Sequence, residues 1–313
     1  MRGLGVAPAG AVGLGIAATA AIALVGAGAT ASAAGTHAAQ AAPRAHHAVA
    51  HTPHLAVTIS KKHFKVSGPT TFAAGRVAIS LTSKGGEYQF GVGRLKKGYT
   101  WHKLRADLTA FGEKAGTGPN GSTPKSALKH LDTVIRRTEL YGGLDCQAGQ
   151  TLHGTVVLPK PGTYYVFEDV NLPSHPTKIT VTGPAVTRAT PKSTATVTAL
   201  TTRRFGGATV LPAHGTITFK NKSTESPHFL TLIHVKTGTT KKQVLDFLLS
   251  GSNTPPPFAL AGQAETDAVG EGNSMTLSYR LPKGEYIEAC FFPDPKTGMP
   301  HAFMGMLRVV TLK

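Results

Sequence analysis

The side chains with the most chemistry to offer lie near the C-terminal end of the chain. Cys290 sits in an apolar run, Tyr-Ile-Glu-Ala-Cys-Phe-Phe over 286–292. The turn-rich stretch 293–300 follows it, and then His301-Ala-Phe-Met-Gly-Met306. Upstream, His228 ends a polar turn, 221–227, as half of a Pro-His dipeptide. A thiol with imidazoles and thioethers nearby is metal-binding chemistry. A buried thiol in an apolar strand is inert by itself, and a metal deprotonates it outright. Packing is the competing account, since a lone strand cysteine is usually a small buried hydrophobe and Met299, Met304 and Met306 can all fill core space. His234, six residues beyond His228, reads as packed or solvent-facing rather than ligating.

The elements that would position these groups form a pattern written twice. In the first copy, GRVAISLT (75–82) alternates as a strand does, YQFGVGRL (88–95) follows a polar turn, and Leu104, Leu108 and Phe111 mark a helix. In the second, GTITFK (215–220), HFLTLIHV (228–235) and a helix marked by Val244, Phe247 and Leu248 take the same order. Both copies end alike, with Leu-Pro-Lys and Gly-x-Tyr between two alternating strands: LHGTVVLPKPGTYYVFEDV (152–170) and MTLSYRLPKGEYIEACFFP (275–293). The first copy has an additional helical stretch over 124–140, with Leu128, Leu131, Val134 and Ile135 on one face. Short strands, many turns and few helices indicate an all-β chain of two tandem Greek-key β-sandwiches, each with a short helical insertion. The expected domains are 55–183 and 194–313, with a linker at 184–193.

At its strand ends the second copy resembles the cupredoxins, the blue-copper family that includes plastocyanin and azurin. The family's ligands are a His after a strand turn, a Cys at the end of the penultimate strand, and a His and a Met on the loop beyond it. The resemblance therefore implies one copper ion held by His228, Cys290, His301 and Met306, with Met306 as the weak axial donor. One thiolate and two imidazoles in a plane bind copper in both oxidation states, and an axial thioether tunes its potential. The chain departs from the family in one respect: ten residues separate Cys290 from His301 where the family keeps a much shorter loop. Met299 and Met304 are alternative sulfur donors.

The first copy acts as an internal control. Superposing the repeated turns sets Tyr88 opposite His228 and Glu168 opposite Cys290, and 170–175 offers no Met, so no copper is expected there. Cys146 is not the counterpart of Cys290, and a Cys146–Cys290 disulfide is not expected, because the two lie in separate sandwiches. Such a bridge would remove the thiolate.

Other chemistries lack their signatures. There is no Gly-rich phosphate loop, Gly-x-Ser-x-Gly elbow or His-Glu-x-x-His motif. The His-x-His pairs and His-Cys-His run of multicopper oxidases are absent as well, which favours an electron carrier or binding protein over an enzyme.

Composition adds the setting. Lys and Arg outnumber Asp and Glu by 33 to 16 in 313 residues, a net +17, so the expected partners are an acidic redox protein or an anionic cell-envelope surface. Nucleic acid is not expected, since no stacking-aromatic motif accompanies the charge. Residues 1–33 read as a signal peptide: Met1-Arg2, an uncharged apolar run densest over 12–25, then Ala31-Ser32-Ala33. The mature protein is thus expected to be secreted or associated with the cell envelope, with no transmembrane anchor after cleavage. Residues 34–54 form a His/Ala-rich disordered linker, in which His37, His46, His47, His51 and His54 can take up metal weakly. Two other functions remain open on this reading. One is a metal-free binding or structural module of the cell surface; the other is a copper storage or delivery protein using this tether.

Overall fold

A computed structural model describes residues 51–168, 176–252 and 254–313. The signal peptide expected at 1–33, the 34–50 part of the His-rich stretch with His37, His46 and His47, and the whole 170–175 segment lie outside the described residues. Alternation of Val, Ile, Leu, Phe and Thr with polar residues produces strands over most of the body. Strand accounts for about 46% of the described residues and helix for 15%. The chain is all-β, folded as two tandem sandwiches.

The first copy runs β1 (His54–Ser60), β2 (His63–Ser67), β3 (Thr71–Ala73), β4 (Gly75–Lys84), β5 (Tyr88–Leu95), α1 (Trp101–Gly112), α2 (Lys125–Arg137), β6 (Thr138–Cys146), β7 (Thr151–Leu158), β8 (Gly162–Phe167) and β9 (Thr177–Thr182). The second runs β10 (Ala195–Leu200), β11 (Arg204–Gly207), β12 (Val210–Leu211), β13 (His214–Asn221), β14 (Thr231–Val235), α3 (Lys241–Leu249), β15 (Ala259–Thr266), β16 (Ser274–Arg280), β17 (Gly284–Ala289) and β18 (Leu307–Leu312). The copies match strand for strand, and α2 has no counterpart helix in the second. Even the tyrosine after each Leu-Pro-Lys turn acts alike: Tyr164 donates to the Lys160 carbonyl and Tyr286 to the Pro282 carbonyl, both at 2.8 Å.

The two sandwiches share their sheets. One sheet runs β11-β10-β13-β16-β7-β4-β1-β2 and the other β12-β18-β17-β14-β15-β6-β5-β8-β9-β3. At the seam equivalent strands pair antiparallel, β16 with β7 (Met275 opposite Val156) and β15 with β6 (Thr266 opposite Leu144). The copies are therefore related by a pseudo-two-fold axis between the seam strands. Each sandwich buries its own apolar layer, including Leu55, Ile79, Phe90 and Val92 in the first and Ile217, Phe219, Leu230 and Leu232 in the second. Each such side chain contributes about 1.5–3 kcal/mol when fully buried.

The helices differ between copies. The Thr100 side chain caps α1, which buries Leu104, Leu108 and Phe111. A capping box between Thr240 and Gln243 opens α3, which buries only Val244. The helical stretch expected over 124–140 stops at Arg137, because the backbone turns extended at Thr138 and 138–140 pair with β5. With no second helix beside it, α3 covers an apolar cavity of about 220 Å³ lined by Ile233, Phe247, Phe258, Ile287 and Phe291. In the connecting segment 184–193 the Arg188 side chain holds the first copy through several carbonyls. Arg188 donates to the carbonyls of Ala73 (2.9 Å), Ala74 (3.0 Å), Arg76 (3.2 Å) and His51 (3.3 Å).

Candidate metal centre

All four expected ligands are set in place by main-chain hydrogen bonds. His228 exchanges two such bonds with Val269, at 3.1 and 2.8 Å, on the connection after β15. The turn before it is shaped by Asn221, whose amide donates to the carbonyls of Ser226 (3.0 Å) and Val269 (2.9 Å). Its carbonyl accepts from the Ser223 N–H at 2.9 Å. Cys290 follows the last residue of β17, and its N–H donates to the Met306 carbonyl at 3.1 Å.

The long interval before His301 closes on itself. Pro293 bridges Pro300, the Asp294 N–H donates to the Met299 carbonyl at 2.8 Å, and the His301 N–H donates to the Phe292 carbonyl at 2.9 Å. The Asp294 carboxylate tightens the turn by accepting from the N–H groups of Lys296 (3.1 Å) and Thr297 (2.8 Å). The extra residues thus form a small hairpin outside the site, and His301 rejoins the chain beside Phe292. Gly298 at its tip has φ +74, and its carbonyl accepts from the Thr123 N–H of the first copy at 2.8 Å. A Cβ there would stand 2.1 Å from the Thr123 carbonyl oxygen.

The donor atoms converge. Cys290 Sγ stands 3.7 Å from His228 Nδ1 and 3.8 Å from His301 Nδ1, and the three atoms lie within 4.8 Å of one another. The two imidazole rings lie 4.6 Å apart, centre to centre, and all three residues have no exposed surface. A metal held by sulfur at about 2.3 Å and nitrogen at about 2.0 Å in a plane requires a sulfur-to-nitrogen separation of about 3.7 Å. The donor set fits a metal of that size. Met306 is buried and tied in: its N–H donates to the His301 carbonyl at 2.9 Å. Met299 and Met304 are half-buried, and the Met304 sulfur accepts from the Thr297 hydroxyl at 3.9 Å.

Burial sets the protonation states. It pushes His228 down to about 2, helped by the neighbouring His301 and Arg203 charges, and His301 down to about 4, where Asp294 opposes the shift and Arg203 adds to it. Both rings are therefore neutral at pH 7, with a lone pair to offer. Burial pushes the Cys290 thiol up to about 12, although the backbone N–H groups of Phe229 and Phe292 pull the other way by hydrogen-bonding it. Such a thiol keeps its proton unless a cation takes its place.

The first copy carries the same framework with other side chains. Gly91 faces Phe167 across β5 and β8, as Thr231 faces Ala289 across β14 and β17. That register puts Tyr88 at the His228 position and Glu168 at the Cys290 position, both buried. Both cysteines are free thiols; Cys146 faces Tyr88 on β6 and donates to the Leu81 carbonyl at 3.4 Å. His234 stacks on Tyr286 at 4.7 Å and donates from Nδ1 to the Ala261 carbonyl at 2.9 Å, well occupied away from the site.

Residues that the motif reading passed over also shape the centre. Arg203 reaches carboxylates on both histidine loops, Arg204 donates to the Met304 carbonyl at 3.1 Å, and Thr123 holds the hairpin tip. The Arg203-Arg204 dipeptide stands in plain view in the sequence, but nothing local names its targets.

No protein-family model matches the chain, and no curated relative matches it. Among solved structures it is similar to the dithionite-reduced auracyanin of Roseiflexus castenholzii, at 20% identity over 40% of this chain and 99% of that one, with a TM-score of 0.26. It is similar as well to the copper nitrite reductase of Nitrosomonas europaea, at 11% identity over 84% and 94%, with a TM-score of 0.23. A multicopper oxidase matches at 10% identity over 83% and 88%, again with a TM-score of 0.23. The chain itself folds as two tandem β-sandwiches. In the second sandwich the imidazole-thiol-imidazole group lies at the ends of the strands that the internal repeat singles out. No helix among the described residues is long and apolar enough to cross a membrane.

Proposed function

We propose that the second sandwich binds one copper ion through His228 Nδ1, Cys290 Sγ and His301 Nδ1, with Met306 as weak axial donor. On this reading the protein is an exported carrier of single electrons rather than an enzyme. The observation that carries it is the convergence of two neutral imidazole nitrogens and one thiol at separations suited to a single small cation. Copper bound there would supply a one-electron couple. The chain's own residues supply rigidity, through the His228–Val269 bridge, the Cys290–Met306 bond and the 293–300 hairpin. They also exclude water, since the three donors are buried. The net +17 charge would draw in an acidic redox partner or hold the protein at an anionic envelope surface, more strongly at low salt.

The test is to add Cu(II) to purified protein and record the visible spectrum. An intense thiolate-to-copper charge-transfer band that Cys290→Ser removes is the expected result. A colourless protein whose melting temperature ignores Cu(II) would overturn the reading in favour of a metal-free module.

A further inference from the structure

The hairpin joining β10 to β11 differs between the copies in a telling way. In the first copy the equivalent turn has two residues, the exposed Lys61 and Lys62, between the paired Ser60 and His63. In the second, three residues separate the paired Leu200 and Arg204, and the third of them is Arg203. Its φ is +55, and the Arg203 N–H donates to the Leu200 carbonyl at 3.0 Å. That is the left-handed position of a three-residue hairpin, where glycine is the easy choice. An arginine held there against its backbone preference points to work done by its side chain.

That side chain spans the site. The guanidinium bonds Glu225, in the loop before His228, at 3.2 Å, and it also bonds Asp294, in the hairpin before His301. Asp294 is buried, and the Arg203 Nε makes no hydrogen bond of its own. The neighbouring Arg204 takes the other side of the same loop. It donates to the Met304 carbonyl and lies so close to Gly305, at φ +114, that a Cβ there would overlap its guanidinium.

We infer that Arg203 is a positioning residue that straps the His228 and His301 loops together and sets how strongly the site favours its reduced state. The inference rests on the copper reading above. The two loops are far apart in sequence, and this guanidinium joins both through charge-assisted hydrogen bonds, the stronger kind. A fixed positive charge beside the site also favours the less positive of two metal charges. The same field already disfavours a proton on either imidazole. Asp294 acts with the opposite sign on His301. Removing Arg203 would leave that buried carboxylate without its cation, so both changes move the balance the same way.

The test uses the full chain with Arg203→Met, Arg203→Lys, Asp294→Asn and the Arg203→Met/Asp294→Asn pair. Each is loaded with Cu(II), its reduction potential is titrated, and amide exchange over 293–301 is followed without metal. Arg203→Met is expected to lower the potential and to speed loop exchange at least several-fold. Arg203→Lys should keep most of the potential while exchange rises, because it retains the charge and loses the fork. Asp294→Asn should raise the potential, and the double variant should return toward wild type.

A potential that ignores Arg203→Met while the colour persists overturns the inference. So does a fall in potential for Asp294→Asn, which would mean mere loosening. If Arg203→Met fails to fold, a raised potential in Asp294→Asn beside a nearly unchanged potential with faster loop exchange in Arg203→Lys still decides it. A wild type that takes up no copper overturns the copper reading and the tuning with it. That outcome is distinct from a coloured wild type indifferent to Arg203.

Discussion

The two halves of the molecule share nine strands in the same order and the same tyrosine-closed turn, yet they spend their buried ends differently. The first fills the strand ends with Tyr88 and Glu168 and completes its outer layer with two helices. The second puts His228 and Cys290 at those positions, adds the 293–300 hairpin to bring His301 back, and leaves a cavity beneath a single helix. The sandwich is therefore a holder whose register fixes where a donor can stand. A handful of side chains and one loop decide whether donors stand there.

The comparison can be broken in order of expected effect. Cys290→Ser should abolish the copper band, whereas Glu168→Gln at the matching position of the first half should leave it intact; equal losses would mean the halves are not so divided. Phe111→Ala in α1 should cost about 3–5 kcal/mol in denaturant unfolding. Val244→Ala in the thinly packed α3 should cost about 1–2 kcal/mol. Similar values for both would contradict the asymmetry of the helix layers.

The seam gives a pH test. Glu265 faces Asp145 across it, and burial, with the Glu87 charge adding to it, pushes the Glu265 carboxyl up to about 8. Its folded value thus lies above the unfolded one, so the stability it contributes is held at low pH and lost as pH rises through 8. Glu265→Gln should accordingly gain on wild type between pH 5 and pH 8 in melts of metal-free protein, by a few kcal/mol at most. A constant difference across that range would show that the carboxyl keeps an ordinary value. Last, Gly298→Ala should cost at least about 1–2 kcal/mol for a left-handed backbone alone, and should loosen the grip of Thr123 on the hairpin. An unchanged melting temperature would mean the first half does not brace the site.

Much of this was legible from residues. Alternation located the strands, the doubled Leu-Pro-Lys turns exposed the repeat, and the Pro-His, strand Cys and His-x4-Met run marked the three groups that do converge. What stayed hidden depends on pairing between distant segments. The 293–300 spacing looked too long because nothing local announces that Pro293 bridges Pro300 and that Asp294 folds the turn inward. The role of Arg203 stayed hidden because its carboxylate partners lie 22 and 91 residues away. The end of α2 was set by β5, which draws 138–140 into a ladder against their helical pattern. The seam was invisible for the same reason, as β7 and β16 read as ordinary strands whose neighbours the sequence does not name.

The seam has a consequence for anyone cutting the chain. Excising either half at 184–193 would bare two long strand edges at once, β6 with β7 or β15 with β16, an open invitation to pair. Because the axis relating the halves runs through those strands, the most natural substitute for the missing half is another copy of the one retained, docked in the same antiparallel register. A single-sandwich fragment would thus rebuild the parent as a homodimer. A fragment of the second half would then hold two copies of the His228, Cys290 and His301 group where the intact chain has one.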